Sequence, residues 1–296
     1  MGKLDPLSDD RGAIVFVYRI ALEPVYPSTM ARLDVPLQTI GFMETRRRDL
    51  WWLQPAVVFT ILTSFVAYAT WAAFQNAHYH FGNYLSPLYS PEIWGESKHA
   101  LFGGKPGWWP SWLPFSPALI ILPFPALFRF TCYYYRGAYY KAFWADPPAC
   151  TVGEPRQSYL GENSLPLILQ NAHRYFLYAT MPLLMFLAHD AYHAMWFFDP
   201  VSGREHFGIG IGTIVLLANV ILLSGYAFGC HSFRHRIGGH FDAISPHPVR
   251  RSLYTCASCL NRGHMRWAWA SLFVVAFSDI YIRLCSMGIW TDWRLL

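Results

Sequence analysis

Apolar residues run through this chain in blocks too long and too uniform for one face of a soluble helix. Five blocks stand out, near Trp51–Phe74, Trp112–Tyr135, Leu165–Phe197, Phe207–Phe233 and Met265–Met287. A bilayer's hydrocarbon core takes roughly 20 apolar residues at about 1.5 Å rise each, so each block predicts a crossing. The expected fold is an all-α integral membrane bundle of five transmembrane helices over residues 51–296, behind a cytoplasmic N-terminal arm at 1–50. The third block is long for one crossing and predicts a tilted or protruding helix. Pro114, Pro117, Pro123 and Pro125 predict an irregular start to the second, where freed backbone groups need cover from neighbouring helices. Ala13–Leu22 is apolar but too short to cross. Ala77–Ser111, rich in Gly, Pro and Trp, reads as an outer loop with room for a short amphipathic helix on the membrane surface.

Composition agrees. Only 14% of the 296 residues are charged, against about 25% in soluble domains. The basic residues sort by loop. Arg32, Arg46, Arg47 and Arg48 precede the first block; Arg136, Lys141 and Arg156 follow the second; Arg234, Arg236, Arg250, Arg251, Arg262 and Arg266 lie between the last two. The opposite loops hold little beyond Lys98, Lys105 and Arg204. The positive-inside rule then predicts a cytoplasmic N-terminus and an outer C-terminus in a multi-pass membrane protein. The net charge of +5 fits anionic lipid and an acidic protein partner and calls for no nucleic acid. Met1–Leu50 shows no cleavable signal peptide. No internal repeat supports an inverted-repeat transporter.

Histidine and cysteine carry the candidate chemistry. On the cytoplasmic side of this topology lie Cys132, Cys150, His173, Cys230, His231, His235 and His264; on the outer side lie His189, Asp190 and His193. Ionisable groups inside spans cost free energy and mark function by default. The six cysteines form no disulfide framework, because most lie near the cytoplasmic face, where thiols stay reduced. His189/His193 and His231/His235 are each four apart, on one helix face. Such pairs suit haem, a di-iron box, or a polar lining around quinone or water. The first two blocks contain no histidine, which disfavours a two-haem bundle, and adjacent His-His pairs, usual in di-iron oxygenases, are missing. Two Cys with two His suit a Rieske-like [2Fe–2S] centre or structural zinc, and spacing alone does not separate these. Quinone needs hydrogen-bond donors and a proton source. His189, Asp190 and His193 offer an outer site; Tyr133, Arg136, His173 and Arg174 offer an inner one. The CASC pattern at Cys256 and Cys259 is a weak metal signal, and Cys285 reads as a buried apolar residue.

Longer motifs say more. RRRDLWWLQP, FRFTCYYYRGAYYKAFW with PPAC, LILQNAHRYF, GCHSFRHRIGG and LNRGHMRWAWASLFVVAFSDIYIRLCSMGIWTDWR resemble the membrane-anchor subunit of succinate dehydrogenase, in its single-chain, five-span actinobacterial form. The likeness runs from about Arg46 onward and implies a place in a bacterial cytoplasmic membrane. It implies partners, a flavoprotein with covalent FAD and an iron–sulfur subunit on the cytoplasmic face, and electron delivery to menaquinone or ubiquinone at the anchor. It carries Cys132, Cys150, Cys230, His231 and His235 over as motif positions, with His173, Arg174 and His264 in the same motifs. A departure from two-haem anchors, whose haem histidines include the first two spans, argues against two b haems. The competing readings are a di-iron hydroxylase or desaturase built on the HxxxH pairs, and a transporter, which would need more intramembrane acids than Asp190 and Asp279.

Overall fold

The computed structural model describes residues 41–155, 163–165 and 167–296. Ala13–Leu22, Arg32 and Arg156 lie outside the described residues. The first helix, α1 (Leu53–Gln75), exposes Val57, Phe59 and Val66. A helix apolar all round belongs in lipid or a large core. It stops at Asn76, whose left-handed backbone (φ 46°) closes the last turn.

The proline-rich second block breaks as expected. It forms α2 (Pro117–Ile121), α3 (Pro123–Phe130) and α4 (Tyr133–Ala142). Proline opens α2 and α3, where a missing N–H costs nothing. The α2–α3 segment and α4 meet at 82°.

The third block is shorter as a helix than expected. A 3-10 turn (Leu167–Ala172) leads into α5 (His173–His193). The chain then turns into a hairpin of β3 (Trp196–Asp199) and β4 (Arg204–Phe207), with Trp196 opposite Phe207 and Asp199 opposite Arg204. Asp199 builds the turn by accepting the Val201 N–H at 2.9 Å, and Gly203 takes φ 66° there, the usual chemistry of Asp and Gly in turns. Next come α6 (Ile211–Phe228), the single turn α7 (His231–Arg234), a π-helical turn (His235–Gly239), α8 (Pro248–Arg262) and α9 (His264–Ser286).

Among the described residues, α1, α6 and α9 are long and apolar enough to cross a membrane, and the bent α2–α4 segment makes a fourth if counted as one span. The expected fifth, α5, falls short on composition, because His173, Arg174, His189, Asp190 and His193 make both its ends polar. The fold is mostly helical, with two small hairpins.

Helix α6 packs closely on α9. A Cβ on Gly225 would meet the Trp267 ring at 2.6 Å, so a small residue permits the approach. The Asp279 carboxylate of α9 is fully buried. It pairs with Arg283 at 3.3 Å and accepts the hydroxyls of Tyr68 and Ser86.

The segment Ala77–Ser111, expected as an outer loop, forms no surface helix. It holds a two-residue hairpin, β1 (His80–Phe81) with β2 (Tyr84–Leu85), and then folds on its own side chains. Glu92 is buried and accepts the Tyr79 hydroxyl at 2.8 Å and that of Ser97, while Tyr79 stacks on Tyr89 at 4.2 Å. Pro87, Pro91, Pro106 and Pro110 interrupt any helical run. At the other end, the chain before α1 bonds to the loop after α4: Met43 N–H donates to Gly153 O at 2.9 Å and Arg47 Nη1 to Cys150 O at 3.0 Å.

Candidate functional site

Four chain breaks place four side chains together. Cys132 occupies the break between α3 and α4, in extended backbone ahead of the first turn of α4. Cys230 does the same between α6 and α7. His173 is the first residue of α5, after the 3-10 turn, and His264 the first of α9, after Gly263. Helix starts carry free N–H groups and the positive end of the helix dipole, so α4, α5 and α9 turn that end toward a site suited to negative charge.

The contacts are specific. His173 Nε2 lies 3.0 Å from Cys230 Sγ, and His264 Nε2 lies 3.6 Å from Cys132 Sγ. Cys132, Cys230 and His173 are buried, and both cysteines are free thiols. The His173 ring stacks on Phe128 at 4.6 Å, and the His264 ring on Tyr226 at 5.0 Å. Thr131 Oγ1 sits 2.9 Å from His173 Nδ1, which leaves Nε2 to face the sulfur. The buried Nδ1 of His264 has no hydrogen-bond partner. All four side chains line one cavity of about 550 Å³. Asn261 Nδ2 donates to Gly229 O at 2.7 Å, tying α8 to the turn that presents Cys230.

Two thiols and two imidazoles are a donor set that iron–sulfur and zinc centres both accept. Among the described residues no three His, Cys, Asp or Glu side chains gather round a single ion position. The donors instead form two pairs, each one sulfur and one nitrogen.

The other predicted residues divide. His231 and Tyr133 line the same cavity and are exposed, with the Arg136 guanidinium 4.3 Å from the Tyr133 ring. Arg174 is exposed on α5, outside the cavity lining. His235 is exposed and turns its ring toward Gly239. Cys150 is exposed in the loop after α4, and Cys256 and Cys259 are exposed on α8. His189, Asp190 and His193 line a different cavity, of about 750 Å³, at the far end of α5. His99 lines it too; burial, with Lys98 beside it, pushes its imidazole down to about 4. The two HxxxH pairs therefore share no centre.

Thr131, Phe128, Tyr226 and Arg129 escaped the sequence reading. Arg129 had a usable signal, a charge inside an apolar block. It donates to Ser271 Oγ at 2.8 Å and Ala268 O at 3.1 Å on α9, and to the Tyr135 hydroxyl on α4 at 3.1 Å.

Residues 53–288 match the family model described as actinobacterial succinate dehydrogenase subunit SdhC. The chain belongs to this family. It is thus a membrane subunit of a succinate dehydrogenase. A chain of the Mycobacterium smegmatis Sdh1 complex in its apo form is similar in structure, with a TM-score of 0.75 and 42% sequence identity, covering 85% of this chain and 94% of that one. No curated protein matches the chain.

Proposed function

We propose that this subunit anchors a succinate:quinone oxidoreductase and carries electrons from an iron–sulfur partner to quinone, with a Rieske-like [2Fe–2S] centre held by Cys132, Cys230, His173 and His264. The observation that carries the reading is the meeting of His173 with Cys230 and of His264 with Cys132 on one cavity. Such a centre supplies a one-electron relay whose imidazole ligands raise its potential. The helix starts of α4, α5 and α9 favour its negative charge. Thr131 fixes the orientation of His173, as hydrogen-bonded outer groups do for metal ligands.

The docking face for the iron–sulfur subunit and its flavoprotein follows from charge. Arg136, Arg174, Arg234, Arg262 and Arg266 each lie within a few residues of one of the four donors. They ring that end of the bundle with positive charge, which supports its placement at the cytoplasmic surface with the N-terminus inside. Helix α5 completes a five-crossing bundle in this reading, since its 21 residues span about 31 Å.

Quinone, menaquinone or ubiquinone, approaches the mouth of this cavity, beside the proposed centre, where small-molecule clefts place a few polar groups. Tyr133 and His231 line it with groups able to hydrogen-bond carbonyl oxygens and pass protons. The Tyr134 hydroxyl accepts the Trp269 N–H at 2.8 Å, which fixes its ring beside them. His189 lies about 24 Å further along α5 at 1.5 Å per residue, so the outer cavity is remote from this donor set.

The test is iron content and EPR of the reduced, purified complex. A signal beyond those of the iron–sulfur subunit is expected, lost in Cys132→Ser and Cys230→Ser while the partner's signals persist. A wild-type complex without any additional iron–sulfur signal overturns the reading.

A further inference from the structure

The outer cavity contains a pair of imidazoles that the proposed reaction leaves unused. We infer that His189 and His193 chelate a divalent transition-metal ion of the zinc, nickel or copper type. Their Nε2 atoms face each other at 3.1 Å, with ring centroids 4.3 Å apart. Metal–nitrogen bonds of about 2.0–2.1 Å at a tetrahedral angle put two ligand nitrogens roughly 3.3 Å apart, so the observed spacing is close to the bite of one ion. A hydrogen bond between the rings occupies the same two positions when no ion is bound.

A second observation favours the ion. Asp190 Oδ1 lies 3.7 Å from His189 Nδ1, on the opposite edge of that ring. At that distance the carboxylate is a negative charge beside Nδ1, short of a hydrogen bond; it favours a proton on that edge of the ring over one on Nε2, the tautomer found behind metal-bound histidines. Asp190 is itself held by the Ser90 hydroxyl. The pair is open to solutes, with a His189 side-chain exposure of 61%. Glu92, His99, Lys98 and Glu205 line the surrounding cavity, but no third protein ligand joins the pair among the described residues. Water completes the coordination. Imidazole donors select zinc, nickel and copper over magnesium and calcium, and protons compete with the ion as pH falls.

The test is calorimetric titration of the intact, purified complex with ZnCl2, which reads binding independently of electron transfer. One zinc ion per subunit is expected at this site in the wild type. Asp190→Asn should weaken it by about tenfold, the usual effect of losing an outer-shell partner. His193→Gln should weaken it further still, and His235→Gln, at the other HxxxH pair, should leave it unchanged. His189→Gln provides a second removal of the chelate should His193→Gln fail to assemble. No saturable zinc binding in the wild type overturns the inference, as does undiminished affinity in either chelate variant.

Discussion

The guanidinium carbon of Arg129 lies 4.6 Å from the centre of the Tyr226 ring, and that ring stacks on His264 at 5.0 Å. A cation thus stands one aromatic ring away from a proposed ligand. Among the described residues no carboxylate pairs with it; its hydrogen bonds go to Tyr135, Ser271 and the Ala268 carbonyl. Positive charge beside a redox centre favours its reduced form. Arg129→Gln, which keeps hydrogen-bonding capacity, should lower the midpoint potential by roughly 60 mV, a tenfold change in a one-electron equilibrium. Arg129→Lys should shift it less. EPR-monitored redox titration of the complex reads both.

Thr131 offers a finer probe. Its hydroxyl is the partner of His173 Nδ1, and Thr131→Val deletes it with little change in volume. Metal affinity should fall by about tenfold, as for other outer-shell partners. Iron content of purified Thr131→Val complex should drop, and Thr131→Ser should restore it. Equal iron in all three proteins would remove Thr131 from its positioning role.

Stability of the opposite end rests on Asp279 and Arg283. Their side chains are 0% and 5% exposed, and Arg283 also donates to Gln75 and to Ala77 O. Breaking a buried pair from one side leaves an uncompensated charge at a cost of about 3–5 kcal/mol. Asp279→Asn should therefore lower the Tm of the detergent-solubilised complex well below that of an Arg250→Gln control, whose side chain is exposed on α8.

The loop between α1 and α2 should respond to acid through His99. Burial lowers its folded value to about 4, below the ordinary 6.5 of an exposed imidazole. The opened loop therefore binds a proton that the packed loop refuses. Packing is fully retained above about pH 6.5 and is lost progressively as pH falls toward 4. Hydrogen-exchange protection factors across residues 76–116, taken relative to the intrinsic rate at each pH, should fall between pH 7 and pH 5, and His99→Gln should flatten that dependence.

Much of this was legible beforehand. The blocks behind α1, α6 and α9 declare themselves because lipid demands runs of apolar side chains whatever their neighbours. The proline cluster announced a break near Cys132 for an equally local reason. The amphipathic helix expected in the outer loop did not form. Buried Glu92 and the Tyr79–Tyr89 stack hold that segment, and these are contacts its composition does not encode. The third block closed early because Asp199 and Gly203 close a hairpin, a local turn signal masked by the aromatic run Trp196–Phe198.

Sequence alone determined the membrane class, the family motifs and an inventory of seven candidate cysteines and histidines. The tertiary structure decided which of them meet. Spacing along a chain fixes neighbours only within one helix, through its 3.6-residue turn. Cys132, His173, Cys230 and His264 come from four different chain breaks, and only the packing of α3, α5, α6 and α9 against one another brings those breaks to one cavity. The same packing separates His189 and His193 from the rest, since they begin the opposite end of a rigid rod.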